Sequence, residues 1–189
     1  MNIKRWLQTE SLSIFLIVSM ILTRYHHFGD ALHLPDASLV VFFFAGFYRK
    51  KALLGFLLVL AGLIDVLAIK NGTSAWCVSP AYVFLIPTYA TMWLAGRYCV
   101  AFKALQFIEL IKTVGLLVLA TSMAFVISNV SFYGLSGRFD AMSLIEYAER
   151  VAQYYPTYVG SALVYGVIGF AVVKLIKLLP QIFASHKAI

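Results

Sequence analysis

A chain of 189 residues that is 62% hydrophobic and only 12% charged, with a mean hydropathy of +0.88, has the composition of a lipid-embedded protein and not of a water-soluble domain. Its net charge of +7 would suit nucleic acid, but the basic residues stand in short clusters at the ends of apolar runs. They read as topology signals, and nucleic acid is set aside as a partner. Two cysteines are too few for a disulfide framework, and the absence of a Walker loop, an HExxH pair and a GxSxG elbow argues against ATP hydrolysis and the familiar membrane proteases.

Six apolar segments are predicted in chain order, at 12–25, 37–48, 52–69, 78–99, 104–128 and 158–179, against the roughly 20 residues that cross a hydrocarbon core. The first run passes Met20 without a small-residue cleavage site, so it is read as a retained helix and not a signal peptide. The second is short, and is extended backward if Pro35 occupies the first helical turn, where a missing N–H costs nothing. The expected architecture is a single-domain (1–189), all-α integral membrane protein, a bundle of six transmembrane helices.

Positive loops stay on the cytoplasmic side. Lys4 and Arg5 precede the first segment, Arg49 to Lys51 follow the second, Arg97 and Lys103 follow the fourth, and Lys174, Lys177 and Lys187 end the chain. Both termini are therefore expected in the cytoplasm. The outer face is then built from 24–36, 70–77 and the long stretch 129–157. Within the last, Leu144, Tyr147, Ala148 and Val151 recur at helical spacing with Glu146, Glu149 and Arg150 between them, which predicts a short amphipathic helix over 143–154. Most polar, aromatic and titratable groups fall on this outer side, so function is expected to face outward.

Cys77 stands in the polar loop that leads into the fourth segment, three residues before Pro80, which suits a helix start. That helix start would lower the thiol's pKa, and a soft thiolate ligates metals or attacks electrophiles; the plain alternative is a small buried hydrophobe. Asp65 lies inside the third segment, where an ionisable group is costly unless it faces protein or water; it serves either function or a structural hydrogen bond between helices. Tyr82 and Tyr89, seven residues apart, share a face of the fourth segment with Ser79 one turn above Tyr82, and line a cavity or serve as packing and interface anchors. Arg150 on the outer helix could close over a ligand or pair with Glu146. His26 belongs to the outer face, but it and His27 are adjacent and point apart, so they form no two-histidine metal site. If the fourth segment is helical from Cys77 to Cys99, the two sulfurs lie on opposite sides of the membrane and cannot pair. Glu109 and Lys112 are spaced to form an i,i+3 pair.

The length, the predicted six helices and the outward-facing, loop-covered cavity resemble the S-components of energy-coupling factor (ECF) vitamin transporters. Asp65, the stretch Trp76-Cys77-Val78-Ser79-Pro80-Ala81-Tyr82 and the Glu149-Arg150 region resemble the cobalamin-specific BtuM group. The resemblance implies corrinoid uptake across a bacterial inner membrane, with cobalamin bound on the periplasmic side, Cys77 as axial cobalt ligand, and Asp65, Tyr82 and Arg150 as corrinoid contacts. Ser79, Tyr89 and His26 complete the candidate ligand-binding set. It implies also that Cys77 ligation can displace cyanide from cyanocobalamin, a reductive chemistry. An energising partner of a transmembrane coupling subunit and ATPases goes with the family, but the first helix departs from its pattern. Only Ser19 and Thr23 offer the small-xxx-small spacing used for docking. Two further readings remain: a membrane enzyme that uses the Cys77 thiolate on a periplasmic electrophile, and an S-component for another vitamin in which Cys77 is incidental.

Overall fold

A computed structural model describes residues 3–26, 36–47, 51–100 and 107–185. Among them the chain is entirely helix and short connections: α1 (Ile3–His26), α2 (Ser38–Phe47), α3 (Lys51–Lys70), α4 (Leu85–Cys99), α5 (Phe107–Leu135), α6 (Leu144–Ala152) and α7 (Tyr155–Ser185). Two 3-10 turns, Ala75–Cys77 and Pro80–Phe84, lie between α3 and α4. Three stretches, Lys51–Lys70, Ile108–Leu135 and Tyr155–Leu175, are long and apolar enough to cross a bilayer. At about 1.5 Å per residue the shortest of these covers about 30 Å. Their exposed faces are apolar, with Val59, Leu63, Leu119, Val126 and Val167 turned outward, as lipid requires.

α2 is apolar all round, and Ser38 through Gly46 are buried, so this ten-residue helix runs through the middle of the bundle. Its backward extension through Pro35 does not occur. Asp36 and Ala37 are not helical, and the Asp36 carboxylate accepts the Ser38 N–H at 2.8 Å, which satisfies a helix-start donor and sets where the helix begins; Pro35 itself lies outside the described residues. α2 packs closely on α4 because both are bare at the crossing. A Cβ on Gly46 would meet the Trp93 carbonyl oxygen at 2.1 Å, and one on Gly96 the Phe43 carbonyl oxygen at 1.8 Å. Phe42 stacks on Tyr89 of α4 at 4.3 Å, and Phe44 meets Phe170 of α7 edge-on at 5.1 Å.

α3 stops where Gly72 takes a left-handed φ of 97°. The Thr73 N–H then reaches the Ala68 carbonyl and the Gly72 N–H reaches that of Ile69, the paired bonds of a Schellman ending. The helix predicted from 78 to 99 is present as an uninterrupted helical run from Pro80 to Cys99, its first five residues a 3-10 turn and the rest α4. Pro80 opens the turn and Pro87 falls in the first turn of α4, positions where neither ring removes an intrahelical hydrogen bond. The expected outer amphipathic helix is present as α6. Ser143 and Glu146 form a reciprocal capping box, and Tyr147 is buried between Tyr133 at 5.0 Å and Phe139 at 4.8 Å.

Candidate functional site: a cavity around a buried arginine

At one end of the bundle the last turns of α1, α3 and α5 meet the Pro80–Phe84 turn and the first turns of α2, α4 and α7. Between them is a cavity of about 480 Å³. Lys51, Arg97 and Lys112 lie at the opposite ends of α3, α4 and α5, so the cavity sits away from these basic residues.

Arg24 organises this end. Its Nε donates to Asp65 Oδ1 at 2.7 Å and its Nη2 to Asp65 Oδ2 at 2.6 Å, the two-pronged geometry that matches a guanidinium to a carboxylate. Nη1 donates to Asp36 Oδ2 at 3.0 Å, to Ser38 Oγ at 3.2 Å and to the Tyr89 hydroxyl. Tyr82 donates its hydroxyl to Asp65 Oδ2, and Ser38 Oγ donates to Asp36 Oδ1 at 2.6 Å. One guanidinium thereby joins α1, the start of α2, α3 and α4, and Asp65 extends the link to the Pro80–Phe84 turn. Arg24 and Asp65 are both buried, at 5% exposure each, so the pair is tolerable only because nearly every charged atom has a partner. The far wall comes from Ser128, Asn129 and Phe132 of α5 and from Tyr154, Thr157, Tyr158 and Ser161 around the start of α7. Tyr147 of α6 donates to Asn129 Oδ1 at 3.4 Å, which connects the outer helix to the same wall.

Of the residues singled out in the sequence, Asp65, Tyr82 and Tyr89 line the cavity. Asp65 does so as an ion-pair partner, uniting its structural reading with a place at the site. Ser79 caps the Pro80–Phe84 turn, and its buried hydroxyl has no hydrogen-bond partner among the described residues. Arg150 is exposed on α6; Glu146 is engaged by Ser143. His26 is the last residue of α1, and its side chain lies outside the described set, as does that of Cys77. Cys77 closes the three-residue turn Ala75–Cys77, and α4 begins only at Leu85. The helical run that Pro80 opens starts as a 3-10 turn and passes directly into α4, so a helix start does stand three residues after Cys77, with its first turn 3-10 and not α. The neighbouring Trp76 lies under the Arg138 guanidinium, 4.0 Å from its ring centre, which links this loop to the α5–α6 connection. Glu109 and Lys112 form the expected pair at 2.8 Å.

Arg24 and Asp36 were missed. A signal for Arg24 existed: it ends the first apolar run on the side that the positive-inside bias leaves poor in arginine, which marks a charge held by protein.

The arrangement defines an all-α chain with membrane-length helices and an ion-paired cavity at one end of its bundle. Compared with known proteins, the chain matches no protein-family model and no curated protein.

Proposed function

We propose that the chain binds cobalamin at this end of the bundle and serves as the substrate-binding part of an uptake system in a bacterial inner membrane, as its resemblance to the BtuM group implies. The observation that supports the reading is the cavity, with Asp65 and Tyr82, two of the expected corrinoid contacts, on its wall. Its volume of about 480 Å³ falls within the range of small-molecule sites, about 300–1,000 Å³. A corrinoid would seat part of its bulk there, with the rest against the loop after α3 and against α6. Cys77 directly follows Trp76 in that loop. Its thiolate would give an electron pair to cobalt as cyanide leaves and takes up a proton, and cobalt accepts such a soft ligand.

The topology that accompanies this reading is six spans with both termini in the cytoplasm and the cavity facing the periplasm. α1, α2 and α4 are the spans that packing must support, since the long apolar stretches lie in α3, α5 and α7. Thr23 is buried, donates to the Ser19 carbonyl at 2.9 Å and accepts from the Ala37 N–H at 3.1 Å. The small-residue pair of α1 thus turns partly inward, which supports a carrier that engages an ECF coupling module through another surface, or works without one.

A second reading, an S-component for a smaller vitamin, is favoured by the modest cavity volume and needs no role for Cys77. Purified protein mixed with cyanocobalamin should change the visible absorption of the corrinoid, and Cys77→Ala should abolish that change. Identical spectra from the two proteins would end the ligation proposal. A smaller compound identified by mass spectrometry as the copurified ligand would favour the second reading.

A further inference from the structure

The charges of the described residues that line the cavity do not cancel. Arg24 is the only cation among the described residues that line it, whereas two carboxylates, Asp36 and Asp65, share that guanidinium. Among the described residues one negative charge is left over in a setting that is largely apolar and partly closed to water, where an unbalanced charge is costly. Arg24 has no nitrogen left idle: Nε and Nη2 are committed to Asp65, and Nη1 to Asp36, Ser38 and Tyr89. The arginine is therefore a poor anion receptor, contrary to the first impression that a buried arginine gives.

The rest of the wall points the same way. Tyr82, Phe132, Tyr154 and Tyr158 line the cavity from three places in the chain, the Pro80–Phe84 turn, α5 and the start of α7. Aromatic faces attract cations that shed water easily, those with quaternary or delocalised charge, and repel anions. Residual negative charge and aromatic walls are two separate features with one consequence.

We infer that the cavity is selective for a cargo group carrying a single quaternary or delocalised positive charge, with Asp36 supplying the balancing charge. Asp36 is the more accessible of the two aspartates, its side chain 22% exposed against 8% for Asp65. The inference rests on the reading that this cavity holds the cargo, not on the cargo being a corrinoid; a cobalt(III) corrin ring with one anionic axial ligand is one cation of this kind.

The test uses the purified full chain and two soluble probes of nearly equal shape, choline and its uncharged tert-butyl isostere, dimethylbutanol, with binding followed by ligand-observed NMR. Choline should bind on the order of tenfold more tightly. Asp36→Asn, which keeps an oxygen for the Ser38 N–H, should bring the two probes within about twofold. The comparison of probes on the unaltered protein stands even if the variant folds poorly. Equal affinity of the two probes for the unaltered protein, or no binding of choline, overturns the inference, as does an unchanged preference in a folded Asp36→Asn protein. Choline preference without any corrinoid spectral change would retain the inference and remove the cobalamin reading. A cobalamin complex in a protein with no charge preference would do the reverse.

Discussion

Arg24 and Asp65 are separated by 41 positions in the chain and meet through two hydrogen bonds. Removing the arginine leaves Asp65 and Asp36 facing a largely apolar cavity without their cation. Arg24→Ala should cost about 3–5 kcal/mol of unfolding free energy, measured by denaturant titration in detergent. The double variant Arg24→Ala with Asp65→Ala should recover part of that loss, because it takes away the stranded charge as well. A double variant less stable than the single one would show that the pair contributes little and that each side chain acts alone. Asp65 could be singled out in advance because an acid inside an apolar segment is conspicuous. Arg24 was marked out by its place at the end of the first apolar run, but that it meets Asp65 depends on how α1 and α3 pack.

At the scale of elements, α6 was readable almost to the residue, whereas the helix expected from 78 to 99 was readable in extent but not in its opening 3-10 turn. The difference lies in how local the signals are. The ends of α6 depend on Ser143 and Glu146, three positions apart, and on an apolar face that repeats every turn. The change from 3-10 to α at Leu85 falls between two prolines that each fit a helix start, Pro80 and Pro87, and spacing alone does not say which of them opens the α-helix. The cap of α6 is also sensitive to acid. Hydrogen bonds from the Ser143 backbone and hydroxyl hold the Glu146 carboxyl below its ordinary value of 4.5. A depressed carboxylate contributes stability that is present above that ordinary value and is lost as pH falls through the lowered one. Amide exchange at 143–147, corrected for its intrinsic pH dependence, should therefore lose protection as pH falls below the ordinary carboxylate value of 4.5. Glu146→Gln should show no such change over the same range; an equal fall in both proteins would locate the acid sensitivity elsewhere.

For the whole molecule, the orientation can be tested on a background of Cys77→Ser and Cys99→Ser. Ile145→Cys on the exposed face of α6 should react with an impermeant maleimide in intact cells, whereas Lys187→Cys should react only after the membrane is permeabilised. Labelling of position 187 in intact cells would invert the arrangement and put the cavity on the cytoplasmic side. Hydropathy and spacing along the chain were enough to show that it is helical and apolar enough for lipid, where most helices lie, and that α6 is amphipathic. These follow from hydropathy, periodicity and caps, all of which act over a few residues. Packing of the helices settled that α2 is enclosed by the others and that Arg24, Asp36, Asp65, Tyr82 and Tyr89 converge on one cavity. Convergence of that kind depends on which helices pack and how closely, as at Gly46 and Gly96, where bare backbones let α2 and α4 approach. No local pattern encodes a meeting between residues tens of positions apart.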